Sequence, residues 1–397
     1  LLPKRLSESD LDRRDRAFVT ELVYGAIRQI GRNDYIAGLY SSKPWAKVDP
    51  EVVDIIRLGA YQIFDMRVPA HAAVNEMVSL ARKMIGKSQS TFVNAILRRM
   101  SERDLNEHLK GVDSLAIRYS HPQWIVDSYL ELLPESEVVQ LLEANNRPVA
   151  PTLVAWPGQS TVAELTELGA TPTPFSPYGV SYLGAPMELG PIRERRAGVQ
   201  DEGSQLVTEI FAKAAPEPWL DLCAGPGGKA ALLSYLAKGT FYANEISATR
   251  TRLISQVVKQ GTILTTEDGR TMTANVNSVL ADVPCTGIGA LRRRPEIRWR
   301  RTLDDLNNLI TLQRELINHA ITILPNDGVL AYVTCSPHKS ETLAQIDYIT
   351  EKSMVQLDVA EFLPPNLGLA TSGKSLQLWP HRHNTDAMFM AIFRKTR

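Results

Sequence analysis

The sequence predicts a multidomain protein in which an all-α part is followed by a small α+β insert and then by an α/β part. Residues 6–129 show apolar residues at helical spacing throughout. Residues 152–196 are dense in proline and glycine and contain only short strand-like pieces. From residue 198 onward, apolar runs alternate with amphipathic stretches, a pattern typical of a mostly parallel sheet that is covered by helices on both faces.

The composition excludes several classes of protein. The 397 residues exceed one typical domain, and 44% of them are hydrophobic, as in ordinary folded proteins. Lys+Arg and Asp+Glu number 44 each, so net charge provides no argument for nucleic acid and any such argument must be local. Three cysteines do not form a disulfide framework, which indicates a reducing, cytoplasmic location. There is no run of 18 apolar residues, so we expect no membrane association.

The helical part begins with a stripe formed by Phe18, Leu22, Val23 and Ile27, and residues 52–64 repeat the pattern. We predict a helical domain at residues 1–130, a linker helix with a small α+β subdomain at residues 131–196, and an α/β domain at residues 197–397. The strands expected in the α/β domain are residues 219–222, 240–244, 279–282, 328–333 and 387–393.

Two of the three cysteines follow apolar runs that end abruptly. Cys285 closes VLADVPC and Cys335 closes VLAYVTC, and one amphipathic stretch at residues 302–324 lies between them. A strand–helix–strand unit places two parallel strands in one sheet with their carboxyl ends at the same edge. We therefore expect both thiols in one cleft, although a single cysteine at a strand end is more often a small buried side chain.

A glycine-rich turn follows the first predicted strand of the α/β domain. Gly225, Gly227 and Gly228 permit a tight turn and a close approach of the backbone to a ligand. The spacing matches neither GxGxxG nor the phosphate-binding loop that ends in Lys-Ser/Thr. Asp221, Glu245 and Asp268 each end a strand, which suits a cationic group, ribose hydroxyls and an adenine amino group respectively. These features favour S-adenosylmethionine as cofactor.

Two thiols beside a methyl-donor site suit methylation of cytosine C5. A thiolate that adds to C6 makes C5 nucleophilic, and the reaction needs a depressed thiol pKa together with an acid near N3. Asp282, three residues before Cys285, is placed for that contact. This reasoning does not rank Cys335 above Cys285 as the nucleophile. Cys223, inside the glycine turn, is expected to pack rather than to react.

Six arginines lie within residues 292–301, directly after the Cys285 strand. Arginines interleaved with an aromatic side chain suit phosphate contacts and base stacking. The alternative is a solvated helix start with salt bridges. We predict RNA contacts by Arg292, Arg293, Arg294, Arg298 and Trp299.

Several motifs together resemble one family, the bacterial 16S ribosomal RNA cytosine-5 methyltransferases of the Sun/Fmu type. The amino-terminal motifs include LVYGAIR at residues 22–28, LGAYQ at 58–62, PAHAAVNE at 69–76 and FVNAILRR at 92–99. The catalytic motifs include GVQDEGSQ at 198–205, LCAGPGGK at 222–229, DVPC at 282–285, TCS at 334–336 and RHNTDAMF at 382–389. The resemblance covers essentially the whole chain.

The resemblance implies a NusB-like helical domain, a Rossmann-like class I methyltransferase domain, ribosomal RNA of the small subunit as partner and S-adenosylmethionine as cofactor. It makes Cys335 the nucleophile, Cys285 the residue that assists breakdown of the covalent adduct, and Asp282 the base-binding acid. The cofactor contacts that it implies are Cys223, Ala224, Gly225, Pro226, Gly227, Gly228, Lys229, Glu245, Arg250, Asp268 and Asp282.

Other readings remain open at this point. The same chemistry acts on transfer RNA or DNA in other enzymes, and an RNA-binding assembly factor with a vestigial catalytic domain is a third reading. An amino-group methyltransferase is disfavoured because Asp282-Val-Pro-Cys stands where an Asn/Asp-Pro-Pro-aromatic motif is usual. Ala230, Ala387 and residues 275–278 depart from the family's usual pattern. We expect a monomer with no metal, and we take His381 and His383 as surface residues.

Overall fold

A computed structural model describes residues 2–368 and 370–396, so the predicted domain limits at residues 1 and 397 lie outside the described residues. The chain forms two compact units. The first unit contains the residues up to Asn146 together with Arg298–Arg300. The second unit contains Arg147–Ile297 and the residues from Arg301 onward. The helix Glu135–Asn146, which falls within the predicted linker region, belongs to the first unit.

The first unit is built from helices that pack around one apolar core. A proline at the first position of Pro50–Phe64 suits a helix start because that backbone nitrogen needs no partner. Val53, Ile56 and Ala60 on this helix are buried, as their spacing predicts. The helices are Leu2–Ser7, Arg13–Arg28, Ile30–Tyr40, Pro50–Phe64, Ala70–Met84, Lys87–Ser101, Leu105–His108, Leu115–Arg118, Gln123–Leu130 and Glu135–Asn146, with a 3-10 turn at Trp45–Lys47.

The helix Arg13–Arg28, which carries the predicted stripe, is fully buried at one end only. Of the members of that stripe, Leu22, Val23 and Ile27 are half-buried and Phe18 is 43% exposed, while the fully buried residues of this helix are Gly25, Ala26 and Arg28 in its last turn. Periodicity shows which face of a helix is apolar but not how much of its length the neighbouring helices cover.

Arg298 is wholly enclosed within the first unit, where its side chain has no exposed surface. Its guanidinium donates hydrogen bonds only to oxygens of neutral groups, and burial lowers its pKa to about 9. The acceptors are the carbonyls of Arg28, Ser120 and Asn145 and the side-chain oxygen of Asn146, at 2.8–3.3 Å. The structure does not support the predicted RNA contact by Arg298, because its side chain has no surface exposed to a partner.

Trp299 lies in the same unit and is partly buried. Its indole nitrogen donates to the carbonyl of Ile27 at 2.7 Å. A Cβ on Gly31 would come within 2.7 Å of the indole ring, so glycine is what lets the helix Ile30–Tyr40 approach Trp299 so closely. The base-stacking role predicted for Trp299 has no support in these contacts.

The second unit contains a small antiparallel sheet and a large mixed one. The small sheet has the order β2-β3-β1-β4, with β1 at Thr152–Ala155, β2 at Thr171–Pro172, β3 at Gly179–Ser181 and β4 at Ala197–Val199. The large sheet has the order β11-β12-β13-β9-β8-β5-β6-β7, and β10 also pairs with β13. Its strands are β5 Trp219–Asp221, β6 Phe241–Asn244, β7 Ile263–Thr265, β8 Ser278–Asp282, β9 Val329–Thr334, β10 Met354–Leu357, β11 Thr371–Ser372, β12 Ser375–Gln377 and β13 Phe389–Lys395.

Helices cover the large sheet, as the alternating pattern predicts. The helices that follow the small sheet in the chain are Glu202–Ala214, Gly228–Leu236, Ala248–Ile254, Leu303–Ile323, Leu343–Thr350 and Pro380–His383. Val162–Glu167 and Gly190–Arg193 pack against the small sheet instead, and Ile297–Arg300 joins the two units along the chain. Short 3-10 turns occur at Pro186–Glu188, Ile288–Ala290, Lys339–Glu341 and Val359–Phe362. Among the described residues, no helix has the length and apolar character needed to cross a membrane.

Strand β9 shows why its run of apolar residues does not alternate with polar ones. Every residue of Val329–Thr334 is buried: Ala331 and Val333 join the core on one face, and Leu330 and Tyr332 join the core on the other. The five predicted strands correspond to β5, β6, β8, β9 and β13. Parallel pairing holds for β9-β8-β5-β6-β7. β13 pairs with β9 in antiparallel fashion, and the short strands β10, β11 and β12, which the sequence does not reveal, also pair in antiparallel fashion.

We expect Arg298→Ala to destabilise the protein by about 3 kcal/mol or more, because several buried carbonyl oxygens lose their donor at once. The measurement is urea unfolding of the full chain, followed by circular dichroism at a wavelength that reports helix. Arg300→Ala is the matched control, since Arg300 is exposed in the same short helix. Equal unfolding midpoints for the two variants would contradict the structural role of Arg298.

Candidate functional site

The site lies at the carboxyl edge of the parallel strands, where β8 and β9 run side by side. Asp282 is paired with Val333, so the two strands end together and the cysteines that follow them meet. Cys285 Sγ and Cys335 Sγ are 3.4 Å apart although 50 positions separate them in the chain. The connecting helix Leu303–Ile323 begins at Thr302, whose hydroxyl caps it together with Asp305. The predicted adjacency of the two cysteine strands is confirmed.

The loop after Cys285 passes directly over the residue Cys335. Gly289 donates its N–H to the Cys335 carbonyl at 3.0 Å, and its own carbonyl accepts from the Ala387 N–H at 2.9 Å. A Cβ on Gly289 would come within 2.7 Å of the Cys335 carbonyl oxygen. Glycine is required here because backbone segments approach it from both sides.

The two thiols have different electrostatic surroundings. The hydrogen bond with Cys335 raises the pKa of Cys285 well above its usual range, and burial and the charges of Glu341 and Asp282 act in the same direction. Cys335 instead interacts with two cations, Lys229 and Arg293. The two sulfurs are within hydrogen-bond distance of each other, with cations on the side of Cys335 and carboxylates on the side of Cys285.

Lys229 is held by Asp282, whose carboxylate accepts a hydrogen bond from Lys229 Nζ at 2.7 Å. Burial alone would lower the pKa of Lys229, but the charges of Asp282 and of Cys335 raise it above its ordinary value. Lys229 therefore stays cationic between the acid at the end of β8 and the thiol that follows β9.

The glycine turn links β5 to the helix Gly228–Leu236. Gly227 has φ of 115°, a left-handed conformation that favours glycine, and it is the residue just before the helix. An ideal Cβ at Gly225 would overlap the Glu245 carboxylate. Glu245 is itself fixed, since its Oε1 is 2.8 Å from both Arg250 Nη2 and the Ser247 N–H. Cys223, Ala224 and Pro226 complete this turn, and burial raises the pKa of the Cys223 thiol, which therefore stays protonated.

Three acids line this edge, as their positions at strand ends predict. Asp268 is bound by the Arg270 guanidinium, which lowers the pKa of Asp268 to about 2, so this acid is ionised. Asp221 is 1% exposed, and neither of its carboxylate oxygens has a hydrogen-bond partner among the described residues. Burial, reinforced by the charge of Asp282, raises the pKa of Asp221 to about 8.

These residues fit S-adenosylmethionine, the cofactor expected from the sequence. The oxygens of the buried Asp221 carboxyl are available for hydrogen bonds to a cofactor. The fixed Glu245 carboxylate can accept hydrogen bonds from the vicinal hydroxyls of a ribose. Gly225 has no side chain, so the backbone can approach the cofactor closely there. Residues that would hold the cofactor are therefore present on the loops after β5, β6 and β7.

The three arginines at 292–294 have separate environments. Arg292 is 4% exposed and donates to the Asn384 side chain at 2.7 Å. Arg293 forms a two-point ion pair with the buried Asp386, which also accepts at 3.1 Å from Arg293 Nε. The pKa of Asp386 is about 6, raised by burial and by the charge of Asp201.

Arg294 is the exposed member of the three, with 67% of its side chain accessible and Glu296 at 3.6 Å. The structure therefore leaves Arg294 free to meet phosphate, while Arg292 and Arg293 are engaged within the protein. Because Arg292 and Arg293 are engaged within the protein, the structure does not support the predicted RNA contacts of these two residues.

Several residues of the site were given no role from the sequence, although Asp201 lies in the motif at residues 198–205 and Asp386 in the motif at residues 382–389. Asp201 and Asp386 lie 185 positions apart, yet the Asp386 N–H donates to Asp201 at 3.0 Å. Glu341 is fully buried beside Thr286. His383, taken as a surface residue, is 7% exposed and accepts from the Trp379 N–H at 2.9 Å. No cluster of three metal-ligating side chains occurs within residues 2–368 and 370–396.

Comparisons with known proteins match this architecture. A family model described as the NusB family matches residues 1–102, and one described as 16S rRNA methyltransferase RsmB/F matches residues 209–394. The chain is 38% identical over 420 aligned residues to Rv1407 of Mycobacterium tuberculosis, a protein named as a methyltransferase. The alignment covers 100% of this chain and 92% of that one. It is 31% identical over 358 residues to ribosomal RNA small subunit methyltransferase B of Vibrio cholerae, covering 86% and 82%.

Among solved structures, the crystal structure of PH0851 superposes with a TM-score of 0.81 at 21% identity and covers 98% of this chain and 92% of that one. These findings confirm the predicted fold class, with a NusB-like helical domain and a Rossmann-like methyltransferase domain, and they confirm S-adenosylmethionine as the cofactor.

We expect Gly225→Ala to weaken binding of S-adenosylmethionine about 10-fold or more, because the new methyl group displaces the Glu245 carboxylate and its charged hydrogen bonds are lost. Calorimetric titration of the cofactor measures this. Gly38→Ala is the control, since a Cβ there meets no atom closer than 3.9 Å. Unchanged affinity in Gly225→Ala would show that Glu245 does not contact the cofactor.

We expect Asp221→Asn to alter the pH dependence of stability. The pKa of Asp221 is raised to about 8 in the folded chain. The protonated carboxyl therefore favours folding, and this contribution is complete below about pH 4 and lost as pH rises through about 8. Wild type should lose stability relative to Asp221→Asn across that window, by a few kcal/mol in total. Unfolding midpoints measured at pH 5, 6.5, 8 and 9 without cofactor test this, and parallel profiles would contradict it.

Proposed function

Because the chain belongs to the RsmB/F family of 16S rRNA methyltransferases, we propose that it methylates C5 of a cytosine in small-subunit ribosomal RNA through a covalent adduct on Cys335. The observation that carries the proposal is the 3.4 Å separation of Cys285 Sγ and Cys335 Sγ at one edge of the sheet. Cations interact with Cys335, and carboxylates interact with Cys285. Bound S-adenosylmethionine supplies an electrophilic methyl group.

Cys335 acts first in the proposed reaction. Its thiolate adds to C6 of the base, which forms an S–C6 bond and makes C5 nucleophilic. The cations that interact with Cys335 are Lys229 and Arg293. Asp282, which accepts a hydrogen bond from Lys229, would bind the N3 side of the base in this proposal.

Cys285 acts in the second half of the reaction. Once Cys335 is bonded to carbon, its charge and its hydrogen bond no longer raise the pKa of Cys285. Cys285 is then easier to ionise, and its thiolate can accept the C5 proton after the methyl group has joined C5. Loss of that proton breaks the S–C6 bond, restores the aromatic base and returns Cys335 as a thiolate.

The remaining partner assignments are proposals of the same kind. Arg294 supplies a phosphate contact from the exposed side of its segment. The monomeric state and the absence of a metal requirement stay predictions.

The test uses small-subunit ribosomal RNA labelled with tritium at cytosine C5, together with S-adenosylmethionine. Methylation at C5 must replace that hydrogen, so we expect one tritium released for each methyl group transferred. Methyl transfer without tritium release would place the reaction at another atom. Transfer RNA labelled in the same way is the alternative substrate, and preferential release from it would overturn the choice of ribosomal RNA.

The roles of the cysteines are tested on a denaturing gel. We expect Cys285→Ala to accumulate a covalent protein–RNA band, since the adduct forms but does not break down, and Cys335→Ala to give none. Cys223→Ala is the matched control, because its thiol is buried in the glycine turn. An inverted pattern would make Cys285 the nucleophile, and no band in either variant would contradict the covalent mechanism.

A further inference from the structure

Glu341 is a buried acid that the proposed reaction does not use. It has no exposed surface, and no basic side chain is paired with it among the described hydrogen bonds and ion pairs. Its carboxylate accepts from the Thr286 N–H at 2.8 Å, from the Thr286 hydroxyl, and from Gln313 Nε2 at 3.0 Å. A buried carboxylate is costly to desolvate, so three converging donors at this position call for a reason beyond packing.

The donors of Glu341 lead directly to the loop of Cys285. Thr286 is the residue after Cys285, and Gln313 also donates to the carbonyl of Pro284 at 3.0 Å. Glu341 and Gln313 therefore hold the residues on both sides of Cys285. Thr286 and Gln313 are 1% and 0% exposed, so water does not compete for these hydrogen bonds.

The same cluster reaches the loop of Cys335. The Thr286 hydroxyl lies 3.1 Å from Ser336 Oγ, and Ser336 follows Cys335 in the chain. Tyr332, on β9, donates its hydroxyl to the Glu341 carbonyl at 2.8 Å, which ties the turn that carries Glu341 to the strand that carries Cys335. Hydrogen bonds thus connect Glu341 both to the loop that carries Cys285 and to the strand and loop that carry Cys335.

We propose that Glu341 is a positioning residue that sets the separation of the Cys285 and Cys335 thiols through Thr286, Ser336 and Gln313. The inference rests on the proposed function for its catalytic consequence, but the geometry it concerns exists without RNA. Glu341 touches neither substrate nor cofactor in this role. It acts by holding the two loops at a distance from which both thiols reach one base.

Two substitutions separate the hydrogen bonds of Glu341 from its charge. In Glu341→Gln the amide oxygen still accepts from the Thr286 N–H and from Gln313, and the amide nitrogen can donate to the Thr286 hydroxyl. In Glu341→Met the volume is similar and every side-chain hydrogen bond is lost. Both variants lack the charge, so a difference between them reports the hydrogen bonds alone. Thr286→Val is a milder variant that removes the hydroxyl's hydrogen bonds to Glu341 and Ser336 and keeps the Thr286 N–H bonded to Glu341.

The first readout is formation of the Cys285–Cys335 disulfide in the full chain without RNA or cofactor. Diamide is the oxidant: the two thiols give up two electrons and two protons to its nitrogen–nitrogen double bond and join as a disulfide, which is quantified by mass spectrometry of the linked peptides. We expect wild type and Glu341→Gln to oxidise at similar rates, and Glu341→Met and Thr286→Val to be slower by about 10- to 100-fold, because reaction rates fall steeply when reacting atoms are displaced.

The second readout is methyl transfer to small-subunit ribosomal RNA. We expect Glu341→Met to lower kcat with little change in KM, and Glu341→Gln to retain most of the activity. The matched control is Glu351→Ala, an exposed glutamate that follows the helix Leu343–Thr350. Partial unfolding alone would also lower the apparent kcat at unchanged KM, so the folded fraction of each variant is measured by circular dichroism and kcat is expressed per folded protein.

The outcomes distinguish the positioning role of Glu341 from the proposed methyltransferase activity. If folded Glu341→Met forms the disulfide as fast as Glu341→Gln, which also lacks the charge, the positioning role is overturned whatever the RNA assay shows. If Glu341→Met does not fold, Thr286→Val decides in the same assay. If disulfide formation slows as expected but wild type does not methylate ribosomal RNA, the positioning role stands and the proposed function fails.

Discussion

Parallel pairing between β8 and β9 is the constraint on which the whole site depends. The register that sets Asp282 beside Val333 brings two distant cysteines to the same edge, and the helix Leu303–Ile323 makes the crossover that this pairing requires. The strands are buried on both faces, so a shift of register by one residue would move each side chain into the core on the opposite face and disrupt the packing of both. The core therefore fixes the position of the thiols as firmly as it fixes the fold.

Electrostatics then make the two thiols unequal. Lys229 and Arg293 lie towards Cys335, whereas Asp282 and Glu341 raise the pKa of Cys285. The cations are in turn held by acids, Lys229 by Asp282 and Arg293 by Asp386. Both cations are thus held by acidic partners, so the electrostatic environment of the two thiols is established before a substrate binds.

The arginine-rich segment after Cys285 shows how composition can mislead. Six arginines in ten residues resemble a nucleic-acid contact, yet Arg298 donates to buried carbonyls, Arg292 to an asparagine and Arg293 to an aspartate. Arg294 alone among the predicted contact arginines is well exposed. A guanidinium has five donors and is as useful for satisfying interior oxygens as for binding phosphate, so its presence in a sequence does not reveal which of the two it does.

The sequence by itself determined the class of fold, the strands that carry the two cysteines and the glycine turn. These are local signals: helical spacing in residues 52–64, uninterrupted apolar runs before Cys285 and Cys335, and glycines where the backbone turns sharply. The short strands β7 and β10–β12 carry too few residues for such a signal and became visible only through their pairing.

Only the tertiary structure decided the partners of the charged groups. The contacts of Glu341 with Thr286, of Asp386 with Asp201 and of Arg298 with Ser120 join residues 55 to 185 positions apart, and each depends on which backbone atoms the fold brings near. A buried polar side chain takes its role from the groups it must satisfy. Those groups are chosen by packing, which no local pattern in the sequence encodes.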